Sequence, residues 1–476
     1  MTEQPAHISD LIGPVIRDLT HRSGRDLNRW LHQVDRLRGC SDPVRLTGEV
    51  STLDPANGEV LHHYSTGSEP HGQLLVRCGN RRASRCPACA ETYRADTFHL
   101  IRAGLLGGDK GVPATVSTHP RVLATLTAPS FGPVHRGPDK QGQADVCHPR
   151  RTGPACFERH ASGDRRIGQP LDPDTYDYVG HVLWNAHAGK LWHRFGIYLR
   201  RHLGMAAGLT RAEFSRQVRL SFAKVAEYQV RGIVHFHAVV RLDGRGPEGG
   251  IDAPPAWATV ELLSETIESA AKAVRLDVPD SDGETSRDLC WGAVDVRPIA
   301  STGPDGSALS EAAVAGYVAK YATKAAETSG TLDRRIKRSD LARLEQHGAT
   351  EHAARLIRTA WELGNAEAHP DLAPLRLRQW AHMLGFRGHF STKSRAYSTT
   401  LTALRRVRLE YRQARDLGRL PYDPATTLVL ANWKYAGQGY TAGESALAAS
   451  LAPPPTTPHD REGGGIPHGS QALPHP

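Results

Sequence analysis

Long apolar runs and a secretion signal are both absent from the 476-residue sequence. No uncharged apolar stretch approaches the ~18 residues that a membrane-spanning helix needs. The N-terminal segment MTEQPAHISDLIGP has acidic residues early and lacks the charged and then apolar order of a signal peptide. These absences exclude the membrane-spanning and secreted classes, so we expect a soluble, cytoplasmic protein without a membrane partner.

Acidic residues are outnumbered, and a phosphate-binding loop is missing. Lys and Arg exceed Asp and Glu by 59 to 50, which gives a formal charge of +9 and a pI near 9.2. This balance favours an anionic partner such as nucleic acid, although many soluble proteins are mildly basic. The Gly-x-x-x-x-Gly-Lys-Ser/Thr pattern (P-loop) of many helicases is absent, so we expect no helicase of that type in this chain.

The chain is too long for one typical hydrophobic core, so we expect two or three structural units. Composition and periodicity set the expected boundaries. The predicted organisation is a peripheral segment over 1–37, a Cys-rich zinc-binding unit over 38–108, a central sheet domain over 115–330 with an insertion at 132–175, a helical basic region over 331–445 and a disordered tail over 446–476.

A β-hairpin is predicted by two alternating runs, 218–230 and 233–242, that are separated by a short turn containing Gly. The second run contains His235-Phe236-His237. Because alternate side chains share one face of a strand, both histidines should point the same way, with Phe236 in a core behind them. An isolated pair of this kind is more often a polar surface than a metal site.

The length of the turn decides whether a carboxylate joins the histidines. If residues 230–232 form a three-residue loop with Gly232 in the left-handed region, Glu227 faces His235 across the hairpin. A two-residue turn would put Glu227 on the other face. Glu227, His235 and His237 would together hold a divalent cation with open positions for substrate oxygens, and we expect Mg²⁺ or Mn²⁺.

A helix over 310–326 is predicted by its Ala-rich composition and the lack of internal Pro. Tyr317 and Tyr321 lie four residues apart on one face, and each is followed three residues later by a lysine, Lys320 or Lys324. A phenol needs help to act as a nucleophile, and a nearby ammonium favours the phenolate. We therefore expect a catalytic pair of tyrosines assisted by these lysines, whereas alone the tyrosines would be packing residues.

These residues resemble the His-hydrophobe-His (HUH) nicking enzymes, which include rolling-circle replication initiators, conjugative relaxases and some transposases. Val122–Thr127 looks like the first, structural strand of that superfamily, and the hairpin and the tyrosine helix follow in the expected order. The runs Cys78–Cys89 and Leu384–Arg395 resemble initiators of actinobacterial plasmids and integrative elements more closely. The similarity spans roughly 38–440.

The resemblance implies an α+β fold, in which a central antiparallel sheet bears the HUH motif and has helices on one face. A zinc-ribbon-like unit would precede this domain and a helical region would follow it. The implied activity is nicking of one strand at a double-strand origin through a 5′-phosphotyrosine, which starts rolling-circle replication. The implied partners are single- and double-stranded origin DNA, a host helicase and a host polymerase.

Cysteines at the N-terminal end are spaced as zinc ligands. Cys86 and Cys89 form a Cys-x-x-Cys knuckle, Cys78 precedes it, and Cys40 could complete a tetrahedral set. Arg81 and Arg82 lie between these ligands and would display a basic edge to DNA phosphates. The alternative is a pair of free buried thiols.

A second group of possible ligands, Cys147, Cys156 and His160, lies in the insertion at 132–175. This segment has a loop composition that needs something to order it. The group is less regular than the first. The resemblance implies further cysteines near 172–175, where this chain has Asp and Thr. A second zinc therefore stays open.

Residues 376–415 contain ten Lys or Arg and one acidic residue. DNA-binding surfaces typically combine cations that contact phosphates with aromatic side chains that stack on unpaired bases. About half of such charge runs, however, are only solvated helix faces. The predicted DNA-binding residues here are Arg387, Lys393 and Arg395. The interspersed aromatic residues are Trp380, Phe386, Phe390, Tyr397 and Tyr411.

Two alternatives to a replication initiator stay open at the level of sequence. One has the same chemistry in a different setting, as a mobilisation relaxase or an HUH transposase. The other is not an enzyme: a zinc-stabilised DNA-binding repressor whose histidines and tyrosines are structural. A covalent protein–DNA adduct would separate the enzymes from the repressor.

Overall fold

A computed structural model describes residues 24–108, 111–139, 141–299, 310–323, 329–417 and 427–451. The helices are α1 (Gly24–Leu37), α2 (Pro87–Leu106), α3 (Tyr178–Ala206), α4 (Arg211–Gln217), α5 (Val260–Ala273), α6 (Glu311–Ala322), α7 (Glu351–Leu363), α8 (Leu377–Trp380), α9 (Leu401–Leu417) and α10 (Ala442–Ser450). The strands are β1 (Val44–Leu53), β2 (Val60–Ser65), β3 (Leu74–Val76), β4 (Arg121–Leu126), β5 (Val218–Tyr228), β6 (Val234–Arg245), β7 (Ile251–Asp252), β8 (Arg275–Pro279), β9 (Ser286–Cys290), β10 (Val294–Pro298), β11 (Ser391–Lys393) and β12 (Leu428–Gln438). The fold is therefore α+β, as predicted.

The chain forms two compact units. The small unit combines Met1–Ala90 with Gly418–Pro476, and the large unit comprises Glu91–Leu417. In the small unit β1 is the central strand of an antiparallel sheet, with β12 on one side and β2 and β3 on the other. Helices α1 and α10 pack together through Trp30, Val34 and Ala448.

The C-terminal end of the chain differs from the sequence prediction. A helical region to residue 445 and a disordered tail from 446 were expected, but β12 is a strand and α10 continues to Ser450. β12 pairs with β1 over its whole length, from Val44 opposite Gln438 to Leu53 opposite Leu428. A partner almost 400 residues away cannot be read from local periodicity. Residues 452–476 lie outside the described part.

The sheet of the large unit has the strand order β10-β4-β6-β5-β11, with β7 also paired to β6, and all pairs are antiparallel. β5 and β6 are the predicted hairpin, and β4 is the predicted structural strand. β6 lies in the middle with β4 and β5 beside it. The histidines are therefore on a central strand, where both neighbours restrain the backbone.

One face of this sheet is covered by the main hydrophobic core. Phe236, Ala238 and Val240 of β6 point into it, opposite the histidines, and buried residues of α3, α5 and α7 complete it. The alternation of β6 follows from the two-residue period of a strand. The side chain of Phe236 is fully buried, as the sequence pattern predicted.

Helices also cover part of the other face of the sheet, although the resemblance implied helices on one face. Leu123, Ala223, Val225 and Val239 make the middle of that face apolar. Residues of α2, α6 and α9 pack on it, because apolar strand residues have to be removed from water. The expectation that helices cover only one face of the sheet was therefore wrong.

Among the helices in the described ranges, none is both long and apolar enough to cross a membrane.

Candidate metal and tyrosine site

The turn between β5 and β6 has the odd length that the site requires. The amide of Gln229 donates to the carbonyl of Ile233 at 2.9 Å, and the amide of Gly232 donates to the carbonyl of Gln229 at 2.8 Å. Gly232 is left-handed, with φ of 84°. As a result, Glu227 lies directly opposite His235 in the ladder, which is the predicted register.

Three side-chain atoms converge on this face of the hairpin. Oε2 of Glu227 lies 2.9 Å from Nε2 of His235 and 3.1 Å from Nε2 of His237. One ligand atom from each residue lies within 4.8 Å of the other two. Glu227 and His237 are buried, and His235 is half-buried. Two imidazoles and a carboxylate arranged in this way fit a divalent cation with open positions.

The neighbouring strand orients one of the histidines. Thr125 of β4 is opposite His237 in the ladder, and its Oγ1 lies 3.1 Å from Nδ1 of that ring. This bond leaves Nε2 directed at Glu227, which is the usual role of a group behind a metal ligand. Sequence reasoning assigned the strand a structural role and missed Thr125. Nδ1 of His235 is buried and has no hydrogen-bond partner within the described residues.

Both predicted tyrosines lie against His237. The ring centroid of Tyr321 is 4.9 Å from that of His237 in a stacked arrangement, and that of Tyr317 is 5.0 Å away, edge to face. The two tyrosine rings are 4.7 Å apart. The four-residue spacing on α6 therefore brings two phenols to the three converging ligands.

The charges around Tyr317 differ from those expected. Burial raises the pKa of the Tyr317 hydroxyl above its ordinary range, and the hydroxyl of Tyr321 adds to the rise. Arg297 of β10 acts in the opposite direction and favours the phenolate. Lys320 is exposed, and its catalytic role stays a prediction. Lys324 lies outside the described residues.

A buried ion pair ties the start of α6 to the sheet. NH2 of Arg121 on β4 lies 2.6 Å from Oε1 of Glu311, and both side chains are almost completely buried. Arg121 also donates to the backbone carbonyl of Leu105 at the end of α2. Ser310 caps the helix, with its Oγ accepting from the amide of Ala313 at 3.2 Å. The helix that bears the tyrosines is thus held at a defined position along β4.

The four N-terminal cysteines come together in the small unit. One sulfur from each of Cys40, Cys78, Cys86 and Cys89 lies within 4.8 Å of the others, and the sulfurs of Cys86 and Cys40 are 3.8 Å apart. Hydrogen bonds with Cys86 and Cys89 raise the pKa of Cys40, whereas bonds with Cys40 and Cys89 lower that of Cys86. Four sulfur donors at these distances fit a closed tetrahedral zinc site.

The insertion brings its predicted ligands together and adds one. Cys147, Cys156 and His160 converge with His135, which sequence reasoning missed. His135 lies 12 residues before Cys147 in a loop, so no ligand spacing marked it. His148 is adjacent, with Nδ1 3.2 Å from the sulfur of Cys147, but does not belong to the converging set.

The predicted DNA-binding residues have varied surroundings. Arg81 and Arg82 are half-buried, and Arg387 and Arg395 are exposed. Lys393 donates to the backbone carbonyl of Ser398 at 2.7 Å, and burial lowers its pKa. The bond to Ser398 shows that Lys393 supports its own loop. Contact of these five residues with DNA stays a prediction.

The aromatic residues of the basic region belong mostly to the core. Phe386, Phe390 and Tyr397 are buried, and the Tyr397 hydroxyl donates to the carbonyl of Ile101 at 3.1 Å. Their predicted role in stacking on DNA bases is therefore wrong. Trp380 is half-buried, and the side chain of Tyr411 lies outside the described residues.

Comparison with known proteins gives one family. Residues 26–453 match the RepSA family, described as replication initiator protein of pSAM2. A replication initiator protein of Streptomyces ambofaciens is 52% identical over 441 residues, which cover 90% of this chain and 91% of that protein. No solved structure matches. Since the similarity extends over nearly the whole length, the chain belongs to the RepSA family of replication initiator proteins.

Proposed function

We propose that this initiator nicks one strand of its double-strand origin and so starts rolling-circle replication. The observation that supports the proposal is the convergence of Glu227, His235 and His237 with two tyrosine rings on His237. A repressor with structural histidines would not need a carboxylate, two imidazoles and two phenols in one half-buried place. The arrangement suits phosphoryl transfer to a tyrosine.

A divalent cation such as Mg²⁺ or Mn²⁺ held by Glu227, His235 and His237 would polarise the scissile phosphate. The chain itself supplies the nucleophile. The oxygen of Tyr317 or Tyr321 attacks the phosphorus, and the phenol proton passes to solvent water. The bond from phosphorus to the 3′ oxygen breaks, and that oxygen takes up a proton.

The products explain why a tyrosine serves better than water. The new bond is a 5′-phosphotyrosine, a phosphodiester of similar energy to the one broken, so the strand can later be rejoined. The free 3′-hydroxyl primes synthesis by a host polymerase, and a host helicase unwinds the duplex. Because Tyr317 and Tyr321 are neighbours on α6, the second can cut again after one round.

The other predicted groups serve to bind the origin. The four cysteines of the small unit would hold a structural Zn²⁺, and the bound ion would order the loop that contains Arg81 and Arg82. Together with Arg387, Lys393 and Arg395, these residues are proposed contacts to DNA phosphates.

The test is formation of a covalent protein–DNA adduct. Purified protein and Mn²⁺ are incubated with labelled single strands that tile the DNA beside the gene, and adducts are resolved on denaturing gels. We expect an adduct that His237→Ala removes and that the double variant Tyr317→Phe/Tyr321→Phe also removes. Tyr198→Phe, in a half-buried tyrosine of α3, is the matched control and should keep it.

The outcomes separate the candidate functions. If the wild type forms no adduct with any divalent metal, the nicking proposal fails and a DNA-binding initiator or repressor without catalysis stands. An adduct that persists in the double tyrosine variant would show a different nucleophile. An adduct without nick-dependent replication of the adjacent origin would favour a relaxase or transposase reaction.

A further inference from the structure

The insertion at 132–175 contains a second set of converging ligands. Nδ1 of His135 is 3.0 Å from Nε2 of His160, and the sulfur of Cys156 is 3.4 Å from the same Nε2. The sulfur of Cys147 is 3.8 Å from Nδ1 of His135. One ligand atom from each of the four residues lies within 4.8 Å of the rest, and three of the residues are buried.

A second interaction orients His160 towards this point. Its Nδ1 lies 2.7 Å from Oδ2 of Asp164, so Nε2 is the nitrogen that faces the two sulfurs and His135. Asp164 is itself held by Arg166, whose NH2 is 2.9 Å from the same oxygen. A carboxylate behind a histidine is the usual support of a zinc ligand, because it sets the tautomer and the ring orientation.

Regular secondary structure does little to explain the order of the insertion. Within its described residues no helix or strand is found beyond isolated bridges, one of them between Val134 and Pro170. Loops of more than ~15 residues without secondary structure are uncommon in compact domains and are usually functional or disordered. An ordered loop of this length therefore calls for a further constraint. Two sulfurs and two nitrogens provide four protein ligands, which fills a tetrahedral shell and leaves no open position for catalysis.

We infer that His135, Cys147, Cys156 and His160 hold a structural zinc ion that orders the insertion. This site is separate from the cysteine cluster of the small unit. His135 is the ligand that completes it.

The zinc site connects to the hairpin of the candidate active site. The amide of Gly168 donates to the carbonyl of His135 at 2.9 Å. Gly168 packs so closely on the turn that a Cβ there would lie 2.7 Å from Cγ1 of Val230 and 2.9 Å from the amide nitrogen of Arg231. The ion therefore fixes a loop that packs on the turn between β5 and β6. The length of that turn places Glu227 opposite His235.

The first test counts zinc in purified full-length protein by plasma mass spectrometry. We expect two zinc ions per chain, one for each closed ligand set. Cys147→Ser and, independently, Cys86→Ser should each leave one. His148→Ala is the matched control, because His148 touches Cys147 but lies outside the set, and it should keep two.

A conservative variant guards against simple misfolding. His135→Cys keeps four donors, so it should keep two zinc ions, and in cobalt-substituted protein it should strengthen the thiolate-to-cobalt absorption. The inference is overturned if the wild type holds a single zinc that Cys86→Ser removes. It is also overturned if Cys147→Ser and His135→Ala leave the zinc content unchanged.

A second readout follows the loop. Limited proteolysis should cut within 132–175 faster in Cys147→Ser, several-fold above the wild type, and at the wild-type rate in His148→Ala. An unchanged rate in both would show that no ion orders the insertion. The effect on the hairpin rests on the proposed nicking function: adduct formation should slow in Cys147→Ser. Zinc counts and cleavage rates test the site even if no adduct is ever formed.

Discussion

Thr125 contacts the candidate site through a single hydroxyl, which bonds Nδ1 of His237. Thr125→Val keeps the size of the side chain and removes that bond. Loss of such a supporting group typically lowers metal affinity or activity by about 10–100-fold. We expect a shift of that order towards higher Mn²⁺ concentration in a titration of adduct formation.

Thr127→Val is the matched control for Thr125→Val. Thr127 follows the same strand, but its hydroxyl donates to the carbonyl of Ala293 and not to a histidine. The Mn²⁺ titration of Thr127→Val should match the wild type. Equal shifts in both variants would mean that the strand, and not the bond to His237, supports the site.

Lys224 is a buried cation on the face of β5 that points away from Glu227 and towards the main hydrophobic core. Its Nζ lies 3.8 Å from the ring centroid of Phe236 and 5.4 Å from that of Trp192. Burial lowers the pKa of Lys224 to about 7, against about 10.4 in an unfolded chain. Between these two pH values the unfolded chain binds more protons, so stability rises with pH there. Below pH ~7 both states are protonated, and the full cost of the buried charge remains.

Lys224→Met should therefore raise the free energy of unfolding most at low pH. We expect a gain of roughly 1–4 kcal/mol at pH 6, shrinking towards pH 10, in urea unfolding curves. Lys190→Met, in an exposed lysine of α3, should change little at either pH. A gain that is the same at both pH values would show that packing and not charge is responsible.

Helix α6 depends on the ion pair between Glu311 and Arg121 for its position along the sheet. Glu311→Gln leaves the arginine buried without its carboxylate, which typically costs about 3–5 kcal/mol. Since Tyr317 and Tyr321 follow on the same helix, adduct formation should fall as well. Urea unfolding and single-turnover adduct formation measure the two effects.

Glu351→Gln provides the comparison for Glu311→Gln. Glu351 also begins a helix, α7, but its ion pair with Arg355 is exposed and 3.6 Å long. Exposed pairs contribute about 0–1 kcal/mol, so stability and adduct formation should both stay close to the wild type. If the two variants behaved alike, the buried pair would not position the helix.

The hairpin turn depends on Gly232. Its φ of 84° is in the left-handed region, and a Cβ there would lie 2.7 Å from Cδ1 of Leu384. Left-handed backbone costs a non-glycine residue roughly 1–2 kcal/mol, before the close contact is counted. We expect Gly232→Ala to destabilise the protein by more than that in thermal unfolding. Gly208→Ala has a similar φ of 67° and open space around it, so it should show the backbone cost alone.

The whole molecule consists of two units, and each contains one of the proposed zinc sites. Cys40, Cys86 and Cys89 lie in a small buried cluster with Leu37. The small unit therefore has little other hydrophobic core around the cysteines. Structural zinc contributes apparent binding energies of about 10–16 kcal/mol in small domains. A chelator, or Cys86→Ser, should therefore lower the unfolding temperature of the small unit most.

Calorimetry can check this effect if the two units give separate unfolding transitions. Cys86→Ser should move one transition to much lower temperature and leave the transition of the large unit near its original place. Cys147→Ser should leave the transition of the small unit in place and lower that of the large unit by a smaller amount, because the large unit contains the main hydrophobic core. If Cys86→Ser lowers all transitions together, the two units unfold as one.

Local patterns in the sequence determined much of the candidate site. The alternation of β6 set which way His235 and His237 face, and the turn chemistry of Gly232 set the register of Glu227. The helical period placed Tyr317 and Tyr321 on one side of α6. These relations involve residues within about a dozen positions of each other, where backbone periodicity and turn geometry act directly.

Only the tertiary structure decided the rest. His135 joins the second ligand set, Thr125 supports His237, and Arg121 holds Glu311 across 190 residues of sequence. The strand β12 pairs with β1, and helices cover both faces of the main sheet. Such contacts depend on which distant surfaces exclude water together, and no local period or spacing records that choice.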